Sequence, residues 1–211
     1  MLLAMLAGCS SDRGAPAPTR PRNSPPVVLT VPPSTTTLAC FADLSRQNVR
    51  HSPLPDRDYG DGCTVVGAVQ LIDYGVPTTN LTAMACPLAR TFVAWARNGI
   101  APAAREILGS ELVRIDTFGS YACRNTVGTT TVRLSQHATA SAVDVSAFVL
   151  RDGRRITIEH DWNSEDEAVR EFLRVIRRSA CRRFPTVLGP DYNAAHDNHF
   201  HLDLAGRSLC R

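Results

Sequence analysis

Apolar residues recur at helical spacing over residues 83–97. Leu88, Phe92 and Trp95 share one face there, and Asn98-Gly99 supplies a stop. Pro102 suits the first turn of a second, short helix ending at Gly109. Residues 111–116 alternate between polar and apolar and predict a strand. Residues 142–150 and 154–159 are β-prone runs joined by Arg151-Asp152-Gly153, and Asp-Gly between two such runs predicts a hairpin. Ser164-Glu165-Asp166-Glu167 reads as a capping box opening a helix. Val169, Phe172, Leu173 and Ile176 face inward on that helix, and Arg174, Arg177 and Arg178 lie towards its C-terminal end, where cations suit the helix dipole. A last strand is expected over 198–204. The order helix, helix, strand, hairpin, helix, strand predicts an α+β fold with a small antiparallel sheet flanked by helices.

The first 37 residues do not share this patterning. Residues 10–37 are rich in Pro, Ser, Thr and Arg and poor in large apolar side chains. Such a stretch buries too little surface to offset chain entropy, and is expected to act as an extended tether. Residues 1–9 are an apolar run ending Leu6-Ala7-Gly8-Cys9. Small residues directly before a cysteine resemble the lipobox of bacterial lipoproteins, which implies lipidation at Cys9, export, and attachment to the bilayer on the periplasmic face. The run has no preceding cation and is short for an export signal, so a start further upstream is expected. No later stretch is apolar over the ~18 to 20 residues a membrane helix needs. The single folded domain is expected over 38–211, as a monomer.

With Cys9 set aside, six cysteines remain: Cys40, Cys63, Cys86, Cys123, Cys181 and Cys210. An even, dispersed set without a C-x-x-C pair suits disulfides in an oxidising compartment better than a thiolate metal site. Short loops are the easiest to close, which favours Cys40–Cys63, Cys86–Cys123 and Cys181–Cys210 among the possible pairings. All 23 basic residues are Arg, the formal charge is only +3, and acidic residues interleave with the Arg-rich stretch 151–183. No basic stripe with aromatics is present, so nucleic acid is not an expected partner.

The histidines carry the chemistry. Three of the six fall in His196-Asp-Asn-His199-Phe-His201-Leu-Asp203. On a strand, positions i and i+2 share a face, so His199, His201 and Asp203 point one way. Two imidazoles on one face suit a metal, or one ligand and one acid/base group. Upstream lies Ser135-Gln-His137-Ala-Thr-Ala-Ser-Ala-Val-Asp144, whose small residues allow close backbone approach. Asp144 sits between Val143 and Val145, and a carboxylate in such company needs a partner, either an Arg or a cation. Two histidines and one carboxylate around zinc leave a fourth position for water. His51 and His160 read as ordinary surface or hydrogen-bonded residues.

Ser135-x-His137-x-x-Ala140-x-Ala142-x-Asp144 resembles the S-x-H-x-x-G-x-A-x-D motif of the LAS metallopeptidases, which include D-Ala-D-Ala peptidases and the hedgehog zinc domain, and His199-Phe-His201 resembles their closing H-x-H. More widely, Gly119 to Asn125, Leu134 to Phe148 and Gly189 to Asp203 are similar to the bacterial extensin-like C-terminal domain family, over about residues 38–210. The resemblance implies the LAS fold with zinc held by His137, Asp144 and His201. His199 and His196 match two further histidines of the murein endopeptidase branch, which implies catalytic roles for them. The Glu that serves as base in the dipeptidase branch has no counterpart near His201.

Two functions stay open on the sequence. One is a zinc-dependent hydrolase acting on peptidoglycan peptide cross-links, with His199 as base or oxyanion partner and His196 supporting it. The other is a non-catalytic, zinc-containing module that binds the cell wall or serves as structure. Arg124 is either a fork for a substrate carboxylate or a structural Arg beside a disulfide.

Overall fold

The computed structural model describes residues 25–127, 133–206 and 208–211. The lipobox-like segment with Cys9 and the tether up to residue 24 lie outside the described residues. Strand β1 (Val27–Val28) precedes helix α1 (Thr35–Arg46), which Ser34 caps by accepting a hydrogen bond from the Thr37 amide. Strands β2 (Arg50–Pro53), β3 (Arg57–Gly60), β4 (Cys63–Val65), β5 (Ala68–Asp73) and β6 (Met84–Ala85) follow. Helices α2 (Cys86–Trp95) and α3 (Ala101–Leu108) lead into strands β7 (Leu112–Gly119), β8 (Ala142–Leu150) and β9 (Arg155–Thr157). Helices α4 (Ile158–Asp161) and α5 (Glu167–Cys181) precede strands β10 (Thr186–Leu188), β11 (Phe200–Asp203) and β12 (Leu209–Cys210).

The main sheet runs β12-β10-β11-β8-β7, with β9 paired to the far half of β8; its pairings are antiparallel except β10 with β12. Two three-stranded sheets, β1-β3-β4 and β2-β5-β6, come from the first part of the chain. The α+β class and the antiparallel sheet agree with the sequence pattern, but β1 to β6 and α1 were not anticipated. Their strands are short and partly exposed, with no clean alternation to mark them. Thr35 and the β1 pairing with β3 place ordered elements before residue 38. Among the described residues no helix is long and apolar enough to cross a membrane.

Three expectations need correction. The Asn98-Gly99 stop does not break the helix: a π-helical turn over Ala96–Ile100 joins α2 to α3, with the Ala101 amide bonded to the Ala96 carbonyl. A π turn accommodates Pro102, which cannot donate to the helical ladder. Gly99 is there for space, since a Cβ on it would lie 2.5 Å from Ser179 Oγ on α5. The hairpin's second strand ends at Thr157, whose hydroxyl caps α4, so 158–161 is a helical turn. The capping residue of α5 is Asp166 instead of Ser164; its carboxylate accepts from the amides of Ala168 and Val169.

The disulfides are Cys40–Cys86, Cys63–Cys123 and Cys181–Cys210. The last matches expectation, and the other two correct it. Closing a loop of 46 or 60 residues costs little more than closing a short one, so packing of α1 on α2 and the placement of β4 decide the partners.

Strand β8 shows how one segment serves both core and site. Thr117 pairs with Val145 and Asp116 with Ala147, leaving Ser146 as a bulge. The bulge shifts the alternation: Val143 and Val145 before it, and Phe148 and Leu150 after it, all join one core with Trp95, Phe172 and Phe200. Asp144 therefore points to the opposite face.

Candidate metal centre

Asp144 lies mid-sheet, with His201 directly opposite on β11 and Gly119 opposite on β7. Cross-strand neighbours stand close enough to bond, and His201 Nδ1 is 2.9 Å from Asp144 Oδ1. His137 arrives from a 3-10 turn (Gln136–Thr139). Ser135 starts this turn by accepting from the His137 amide, and Ala140 ends it at φ 53°, a left-handed conformation that glycine adopts at less cost. That geometry accounts for the Ser and for the small residue in the Ser135–Asp144 motif. His137 Nε2 is 3.0 Å from Asp144 Oδ2 and 3.2 Å from His201 Nδ1.

The outer hydrogen bonds fix which ring nitrogens carry protons. His137 Nδ1 faces the Ser120 carbonyl at 3.2 Å, and a carbonyl only accepts, so Nδ1 donates. His201 Nε2 donates to Asp203 Oδ2 at 2.9 Å. His137 Nε2 and His201 Nδ1 are thereby left facing each other with their lone pairs, beside a carboxylate. Two lone pairs at that distance require a proton or a cation between them. Burial opposes charge on His201, but Asp144 and Asp203 outweigh it and raise its pKa to about 9. Burial likewise tends to raise the Asp144 carboxyl, yet bonds from His137 and His201 hold it far below the ordinary range. Without a cation the pocket thus holds a protonated His201 between two carboxylates.

The donor set fits a small divalent cation. Two ligands at ~2.0–2.2 Å from one tetrahedral metal stand roughly 3.3 Å apart, close to the spacings found here. All three ligand atoms lie within 4.8 Å of one another, and the side chains are buried. Each imidazole has a fixed outer partner, the arrangement that orients metal ligands.

The remaining expected residues sit around this cluster. His199 Nε2 is 3.6 Å from Asp144 Oδ1, while its Nδ1 donates to Asn198 Oδ1 at 2.8 Å. His196 Nδ1 donates to Asn193 Oδ1 at 2.7 Å, and its ring packs near His199 and His201. Burial lowers both pKa values, that of His196 to about 4 with help from its neighbouring histidines, so both rings are neutral at pH 7. Arg124 follows Cys123 of the Cys63–Cys123 bridge, and its carbonyl accepts from the Ser135 amide. The guanidinium reaches 3.6 Å from Asp144 Oδ2, half exposed. His51 and His160 are elsewhere: His51 bonds the Val49 carbonyl, and His160 is exposed beside Glu159.

Two clefts open onto the cluster. One, of about 640 Å³, includes Arg124, Gln136, Tyr192, His196, His199 and His201 in its walls. The other, of about 290 Å³, includes Phe118, Arg124, His137, Asp144 and His199. Sequence reasoning missed the roles of Ser120, Asn193 and Asn198. Ser120 acts through its backbone carbonyl, which leaves no side-chain signal, and Asn in a loop reads first as a turn residue. Asp203 was visible on the correct face, without its role.

The fold and site define an α+β domain with a buried His-Asp-His cluster at the middle of its main sheet. The family model of the extensin-like protein C-terminus matches residues 38–211, and the chain belongs to that family. No curated protein and no solved structure matches it.

Proposed function

We propose that this chain is a zinc-dependent hydrolase of the bacterial cell envelope that cuts peptide cross-links in peptidoglycan. The observation that carries the reading is the convergence of three lone-pair donors, His137 Nε2, His201 Nδ1 and Asp144, each oriented from behind or across the strand pair. The likeness of the Ser135–Asp144 and His199–His201 segments to LAS metallopeptidases supports zinc and peptide hydrolysis. Three disulfides and the lipobox-like start support an exported, lipid-anchored location with the wall within reach.

When bound, zinc would lower the pKa of a water towards ~7 and polarise a carbonyl. His199 stands at the mouth with a neutral Nε2 lone pair and an Nδ1–H anchored on Asn198, so it is set to accept a proton. Arg124 lies where the two clefts meet, and its half-exposed guanidinium suits a substrate carboxylate. His196 stays neutral beside His199 and supports its ring.

One observation favours the second reading, a wall-binding module that holds zinc for stability. Both carboxylates of the site, Asp144 and Asp203, are committed to histidines, and among the described residues lining the two clefts no other carboxylate stands in for the base used in the dipeptidase branch. A digest of purified peptidoglycan separates the two. The hydrolase reading expects new muropeptides from zinc-loaded protein alone, and a rate loss of about 10²-fold or more in His199→Ala with zinc still bound. Zinc-bound, folded protein that releases no product from any wall type would overturn the hydrolase reading and favour the binding module.

A further inference from the structure

Four aromatic rings form a row across the mouth of the site. Tyr192 packs edge-on against His196 at 5.4 Å, His196 lies tilted against His199 at 5.3 Å, and His199 meets Phe118 edge-on at 5.6 Å. The inner two are buried, whereas Phe118 is 58% and Tyr192 39% exposed. Thr117 is buried, and Phe118 is the extra residue at a second register shift, between Thr117 and Gly119, so the exposure is built into the strand by a bulge. Phe118 lines one cleft and Tyr192 the other, and His199 lines both. Large exposed aromatics at a cleft mark a binding surface.

We propose that this row is a saccharide platform, with Phe118 and Tyr192 stacking on sugar rings either side of His199. The inference rests on the hydrolase reading for what happens between them, and names the glycan part of the polymer as what the clefts grip. A pyranose offers an apolar C–H face ringed by neutral hydroxyl and amide groups. The platform offers the complement: flat rings, with neutral hydrogen-bonding groups beside them. Asn198 uses its Oδ1 on His199, which leaves its NH₂ to donate; Gln136 and the Tyr192 hydroxyl border the larger cleft. Arg124, at the junction, remains for a carboxylate of the attached peptide.

The test is calorimetric binding of the β-1,4-linked N-acetylglucosamine tetramer to zinc-loaded full chain, beside Phe118→Ala and Tyr192→Ala. Loss of either ring should weaken binding on the order of tenfold, the worth of one aromatic contact. Zinc content and circular dichroism should stay unchanged. Phe118→Trp should restore affinity and Phe118→Leu should not, because flatness and not bulk is needed. No binding of the tetramer, or binding indifferent to both rings, overturns the proposal. So does a free stem peptide whose binding depends on the two rings while the saccharide's does not. Tetramer binding without wall cleavage would leave the platform standing and remove the hydrolase; cleavage without tetramer binding would do the reverse.

Discussion

At the scale of single residues, the proposed zinc would compete with a proton for one place. His201 is held protonated by Asp144 and Asp203, with a pKa of about 9. Loading zinc at pH 7 must displace that proton from Nδ1, so binding should release about one proton per site. The sign follows: affinity rises with pH up to about 9 and falls as pH drops below it, because the protonated ring is not a ligand. Calorimetry in buffers of different ionisation enthalpy reads the proton directly, and a binding heat independent of buffer would contradict it. Asp203 is outside the proposed ligand set, yet it fixes His201 by accepting from Nε2. Asp203→Ala should keep the fold and weaken zinc binding by roughly 10- to 100-fold, as loss of such outer partners does. Competition with a chelator of known affinity measures it, and unchanged affinity would mean the bond is incidental. His137, Asp144 and His201 were legible as a set through the resemblance of their two motifs, to which the chemistry of each residue type lent support. Ser120 was not, because any residue can offer a carbonyl.

At the scale of elements, periodicity located α2, α3, α5, β7, β8, β9 and β11, and tertiary contact set their ends and formed the rest. The run 142–150 is a strand with those bounds, since its apolar content is continuous and its turn residues are strong. The stop at Asn98-Gly99 failed because Gly was read as a terminator when its work is to let α5 approach. Gly99→Ala would press a Cβ against Ser179 Oγ and Trp95 Cδ1, at 2.5 and 2.9 Å. Overpacking of this kind should destabilise the protein by about 1–3 kcal/mol. A denaturation midpoint equal to wild type would show that α5 can yield. The bulge at Ser146 is the same lesson for a sheet. Alternation alone puts Val145 and Ala147 on one face, and only pairing with β7 shows where it slips.

At the scale of the whole molecule, three long cross-links join parts distant in sequence. Cys63–Cys123 anchors the segment that carries Arg124 to β4, and Cys181–Cys210 ties α5 to the last strand. Non-reducing peptide mapping should recover these two and Cys40–Cys86, with no titratable thiol among the six. Removing the Cys63–Cys123 pair by double Ala substitution should cost about 2–5 kcal/mol, in the range for native bridges of small exported domains. Stability equal to wild type would show that the fold around Arg124 holds without it. The sequence by itself determined the α+β class, helices α2, α3 and α5, the β8–β9 hairpin, the family, and which histidines and aspartate would meet. The class and the segments follow from residue chemistry and local periodicity, and the family and the meeting of His137, Asp144 and His201 from motif resemblance, all written along the chain. Disulfide partners, the π turn, the bulge, the proton positions on the imidazoles and the ring row from Tyr192 to Phe118 were decided only in three dimensions. Each depends on which segments lie side by side, and loop closure costs too little per added residue for sequence distance to choose them.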